Sequence, residues 1–145
     1  MHKTITLAEY VRKRNGVALG ASGSMTNMLK RSFGASSFYL FWQYWNPIWG
    51  YYLSRKIMKP LSQVLPVWLA IVMTFAVSGA LHDLAITIVK WQLTLLFTPW
   101  FSLMGVIVLL TKKFRISFGE HHWLFRASIN LLIIVVCLAI TRQYT

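Results

Sequence analysis

Two ionisable side chains stand side by side in an otherwise apolar run, Val77-Ser78-Gly79-Ala80-Leu81-His82-Asp83-Leu84. An acid placed at lipid depth costs about 2.5–3.5 kcal/mol on insertion scales, so such a residue marks a functional site with a partner to be found. A neutral imidazole can take a proton from a hydroxyl nucleophile and return it to a leaving group. Ser78 lies one helical turn before His82 on the same face, and Gly79 permits close approach of a second helix or a ligand. Adjacent helical residues point about 100° apart, so Asp83 cannot orient His82 and each needs its own partner. The alternative is that both residues only cross-link helices through hydrogen bonds, as polar groups do in membrane bundles.

A second polar group lies upstream in FYLFWQYWNPIWGYYLSRKIMKP, which spans positions 38–60. Asn46-Pro47 breaks this stretch, because the residue before proline is pushed out of the helical region while proline suits the first turn of a new helix. An asparagine amide can donate a hydrogen bond to a developing oxyanion or hold an acceptor hydroxyl. Plain helix capping is the alternative for Asn46. Gln43 and Gly50 share its face if the break is mild. Trp45 and the other aromatic residues between Tyr39 and Tyr52 suit a headgroup boundary or the border of a lipid entrance. Arg55, Lys56 and Lys59 follow, where they serve topology or meet the phosphates of a carrier.

The elements that must position these residues are membrane helices. Hydrophobic residues make up 57% of the 145 and charged residues 12%, against roughly 45–50% and about 25% in soluble domains. Three candidate spans, about 64–89, 93–111 and 123–141, each come close to the ~20 residues that cross ~30 Å of hydrocarbon. Lys90, Trp91 and Gln92 leave room for a tight hairpin between the first two, and Pro99 should kink or delay the second. Positions 38–60 are too interrupted to span and are expected to form an interfacial or re-entrant helix pair. Positions 1–37 are polar and basic; a short helix around Leu7 to Arg14 followed by a mobile cytoplasmic segment is expected there. The fold class is therefore all-α integral membrane, in one unit.

The net charge of +12 arises from 15 Lys and Arg against Glu9, Asp83 and Glu120. The cations flank apolar runs and form no contiguous stripe, which favours lipid headgroups over nucleic acid. With the N-terminus inside, 13 of the 15 cations fall on the inner side, a positive-inside signal that places the C-terminus outside. No continuous hydrophobic stretch opens the chain, so internal spans are expected to direct insertion. Small size and the lack of sorting signals point to a bacterial inner membrane. Cys137 is the only cysteine, which excludes a disulfide framework. Glu120-His121-His122 lacks a third ligand at helical spacing, so no metal is expected.

The linked segments Phe41-Trp42-Gln43-Tyr44-Trp45-Asn46-Pro47 and Ser78-Gly79-Ala80-Leu81-His82-Asp83 resemble the membrane-bound O-acyltransferase family, in particular its sterol and diacylglycerol acyltransferase style of FW-x-x-WN followed by a span carrying S-x-x-x-H-[DE]. The resemblance covers about a third of the chain, roughly Phe38 to Val89. It implies a tunnel in which an acyl thioester, carried by coenzyme A or an acyl-carrier protein, meets a hydroxyl acceptor. His82 would be the catalytic histidine and Asn46 the second family residue, with no bound cofactor. Family members are several times longer, so the resemblance implies a minimal or truncated member, completed by self-association or by another membrane subunit. The rival reading is a non-catalytic membrane subunit or scaffold that retains the motifs for packing.

Overall fold

Residues 4–145 are described by a computed structural model, and among them every regular element is helical. α1 (Leu7–Asn15) starts in a reciprocal cap: the Thr6 hydroxyl accepts from the Glu9 backbone N–H while the Glu9 carboxylate accepts from the Thr6 N–H. The following stretch, for which no helix was expected, contains α2 (Ser24–Phe33). Asn15 holds it, its amide donating to the Ser24 carbonyl at 3.1 Å and the Ser24 hydroxyl at 3.0 Å.

Positions 38–60 contain more than a helix pair. α3 (Phe38–Tyr44) ends where Trp45 turns extended and Asn46 enters the left-handed region at φ 41. α4 (Pro47–Leu53) then continues through a π-helical turn (Ser54–Met58) into α5 (Lys59–Val64). The wide turn explains why Pro60 does not end the run. A proline lacks the N–H for the bond to the carbonyl four residues back and its ring crowds that carbonyl, and a widened turn relieves both conflicts locally.

α6 (Val67–Lys90) and α8 (Trp123–Tyr144) are both long and apolar enough to cross a membrane. α6 begins three residues later than the sequence suggests, because Leu65 before Pro66 is extended. α7 (Phe97–Lys113) has 17 residues, about 25 Å of helix. Of the three expected spans, the one at 93–111 thus corresponds to a shorter helix that starts later: positions 93–96 are not helical, and the turn is a loop over 91–96 instead of a three-residue hairpin. Asp83 causes the difference. Its carboxylate accepts from the backbone N–H groups of Leu96, Phe97 and Thr98 at 2.8–2.9 Å and from the Thr98 hydroxyl at 2.7 Å. Those are the orphan donors of a helix start, so α7 begins where the acid is.

α3 fills the space between α7 and α8. Phe38 and Phe41 are buried with Ala35, Met104, Val108 and Cys137 in one core. The buried Asn130 of α8 donates to the Phe33 and Ala35 carbonyls at 2.9 and 3.1 Å, and the Phe118 N–H to the Ser36 carbonyl. These bonds gather α2, the start of α3 and the loop before α8 at one end of the bundle.

Gly79 is where α6 meets the start of α7. A Cβ there would lie 2.4 Å from the Phe97 carbonyl oxygen, so the backbones must part for any side chain. Gly79→Ala is expected to cost about 1–3 kcal/mol through this overpacking, read as lowered resistance to unfolding in detergent. Unchanged stability would show that the two helices separate freely at this point.

Candidate functional site

α6 carries His82 beyond its middle, about 22 Å from the start of a helix about 36 Å long at 1.5 Å per residue. The ring is half-buried. Its centroid lies 5.0 Å from that of Phe101, 5.5 Å from Phe97 and 6.0 Å from Trp49, the last edge to face. Nδ1 lies 2.6 Å from the Ser78 carbonyl oxygen one turn back. A carbonyl only accepts, so Nδ1 carries the proton. In the neutral ring the lone pair then falls on Nε2, the nitrogen a general base would use. No hydrogen bond from the described residues engages Nε2.

The adjacent polar pair therefore divides its roles. Asp83 does cross-link, holding the start of α7. His82 bonds only its own helix, so interhelical bonding does not account for it.

Asn46 is the cap of α4: Oδ1 accepts from the Trp49 N–H at 3.3 Å. Asparagine suits both demands here, a side-chain acceptor for the helix start and tolerance of positive φ. Its amide nitrogen has no partner among the described residues, so capping leaves the donor free.

Trp49 connects the two candidates. Its backbone N–H bonds Asn46, its indole N–H donates to the Ser78 hydroxyl at 2.9 Å, and its ring edges His82. Ser78 lies about 16 Å along α6 from Val67, so the Trp49 side chain reaches from α4 to the middle of α6.

A cavity of about 310 Å³ runs between α3, α4, α6 and α7. Gln43, Trp45, Asn46 and Ser78 all line it, as do Gly50 and Phe101. Trp49 forms part of the wall, and His82 lies behind Trp49 and Phe101 outside the lining. Trp42 also lines it, with an indole N–H that is buried without a protein partner. Arg55 and Lys56 do not line it. The Arg55 guanidinium donates to the Ile5 carbonyl and covers the Tyr51 ring, and Lys56 is exposed. Arg14 and Lys112 supply the cavity's cations instead.

Sequence reasoning did not single out Trp49, Trp42, Arg14 or Lys112. Trp49 and Trp42 were hidden among many aromatic residues of similar expected role, and the cations come from helices remote in the chain. His122 caps α8 by accepting from the Phe125 N–H, and His121 lies against Phe125. Among the described residues, no group of three metal-ligating side chains assembles.

Comparison with protein-family models, curated proteins and solved structures finds no match to this chain.

Proposed function

We propose that this chain is a membrane-embedded acyltransferase, moving an acyl group from a thioester donor, an acyl-coenzyme A or acyl-carrier protein, to a hydroxyl acceptor. The observation that carries the reading is the Trp49 link between a free asparagine amide and an imidazole whose Nε2 has no hydrogen-bond partner among the described residues. His82 takes the acceptor's hydroxyl proton as its oxygen attacks the thioester carbonyl carbon. The C–S bond then breaks, and the imidazolium returns the proton to the departing thiolate, leaving an ester and a thiol. The Asn46 amide, with Trp42 as a second donor, stabilises the oxyanion between these steps. For the hydroxyl to reach Nε2, the Trp49 indole swings from its bond to Ser78. The cations Arg14 and Lys112 attract the donor's phosphates at the other end of the cavity.

The membrane setting is part of this proposal. Val67, Trp68, Leu81, Leu84 and Ile88 of α6 and Leu124, Leu131, Leu132 and Val135 of α8 are exposed, far more apolar surface than a soluble monomer carries. In this reading α7 is a short third span and α3–α4 a re-entrant pair, irregular backbone of the kind tolerated at depth where it lines a cavity. The cation-rich end faces the cytoplasm of a bacterial inner membrane, and a second copy or another membrane subunit completes the cavity wall. The resemblance to membrane-bound O-acyltransferases agrees with these roles.

Asn46→Asp separates capping from catalysis. Aspartate keeps the capping oxygen and tolerates positive φ, but has no amide to donate. Labelled-acyl transfer from acyl-coenzyme A to long-chain alcohols in proteoliposomes is expected to fall about a hundredfold or more, with unfolding unchanged. Full transfer by this variant would leave Asn46 as a cap alone.

A further inference from the structure

The end of the bundle where cations gather holds a second cavity, of about 350 Å³. Lys30 and Arg31 from the last turn of α2, Arg126 from the first turn of α8, and Ser36, Leu40 and Trp123 line it. Lys30 and Arg31 have an ordinary reason to be there, since cations suit the carbonyl end of a helix. Arg126 has none. It lies near the amino end of α8, where the helix dipole opposes a positive charge, and its Nε is buried without a protein partner.

No carboxylate among the described residues lines the cavity. Of the three acids, Glu9 accepts from the Thr6 N–H, Asp83 is engaged by the start of α7, and Glu120 is exposed in the loop before α8. The Arg31 guanidinium is steadied over the Tyr44 ring, 4.9 Å from its centroid. The Trp123 indole donates to the Lys30 carbonyl at 3.0 Å, closing one wall. Three like charges around one space repel each other unless an anion joins them. A phosphate has the oxygens to accept from several of them at once, and arginine forks match it best.

Trp123 is also the first residue of a 22-residue apolar helix, and an indole in that position belongs at headgroup level. Leu40 adds an apolar surface beside the cations. We infer that this cavity binds the phosphate of an anionic phospholipid headgroup, held by Lys30, Arg31 and Arg126 with Leu40 and Trp123 against the glycerol. The inference rests on the membrane setting proposed above and is independent of acyl transfer.

The test titrates the full chain in detergent with short-chain phosphatidic acid, short-chain phosphatidylcholine and inorganic phosphate, reading tryptophan fluorescence and thermal unfolding. Phosphatidic acid is expected to bind about tenfold or more tighter than either of the others. Arg126→Gln and, separately, Lys30→Gln each weaken it about tenfold, the loss of one charge-assisted hydrogen bond. Arg142→Gln, an equal charge change on an exposed residue at the other end of α8, leaves affinity within about twofold. Since Lys30 is exposed, Lys30→Gln decides the matter if Arg126→Gln does not fold. Equal affinity in Lys30→Gln, Arg126→Gln and Arg142→Gln would reduce the cavity to bulk charge and overturn the site. Inorganic phosphate binding as tightly as phosphatidic acid overturns the lipid assignment, and equal binding of phosphatidylcholine overturns the anionic one. The membrane setting is read separately, by whether detergent is needed to extract the chain from membranes.

Discussion

His82→Ala is expected to reduce acyl transfer by about 10²–10⁴-fold, the range that a positioned general base contributes, while leaving the helices assembled. The bond from Nδ1 to the Ser78 carbonyl stays within α6, so truncation breaks no contact between helices except ring packing against Trp49, Phe97 and Phe101. His82→Gln makes the comparison stricter. Glutamine can still donate to a carbonyl and fills much of the same space, but it cannot shuttle a proton. Both variants should purify with wild-type size and unfold within about 1 kcal/mol of wild type in the glutamine case. Transfer by His82→Gln at near the wild-type rate would remove the proton relay from the proposal. Loss of assembly in these variants, where the wild-type chain itself transfers no acyl group, would favour the scaffold reading instead.

Asp83→Ala should have the largest effect on stability. Removing the carboxylate leaves the Leu96, Phe97 and Thr98 N–H groups and the Thr98 hydroxyl without their acceptor. Hydrogen bonds to a charged group are worth about 1.5–3 kcal/mol each, and the unpaired donors add their desolvation cost. The contributions are not independent, since the three backbone groups move together with the first turn of α7, so a total of about 3–5 kcal/mol is the expected loss. Asp83→Asn should recover part of it, keeping one oxygen acceptor while turning an amide group toward donors. Denaturant unfolding in mixed micelles reads both variants. If Asp83→Ala unfolds within about 0.5 kcal/mol of wild type, as surface substitutions do, the acid is not what fixes the start of α7.

The helical architecture and the local breaks were legible in the sequence because their causes are local. Pro47 and Asn46 dictate a break and a cap, and the apolar runs of α6 and α8 declare themselves by length. What depended on distant partners was hidden. α2 is a polar helix flanked by glycines, and its end is anchored by Asn130, about a hundred residues away in the chain. Leu93, Leu95 and Leu96 are apolar enough to join a helix, yet Asp83 draws the donors of Leu96 to Thr98 and fixes the start of α7 after them. At the candidate site, Asn46, Gln43 and Ser78 were visible as polar exceptions in apolar surroundings. That a single indole would join Asn46 to His82 was not visible, because nothing in the local pattern distinguishes Trp49 from its aromatic neighbours.

If α7 is a third span, as proposed above, its shortness has a consequence for the depth of the imidazole. In a bilayer, a helix of about 25 Å falls several ångströms short of the hydrocarbon thickness, and lipids relax such a mismatch by thinning around it. The unwound chain at 91–96, with Trp91 and Leu93 exposed, leads into the start of that short helix. Under the membrane setting proposed above, such thinning would bring the aqueous boundary on that face closer to Asp83 and the ring beside it than the length of α6 suggests.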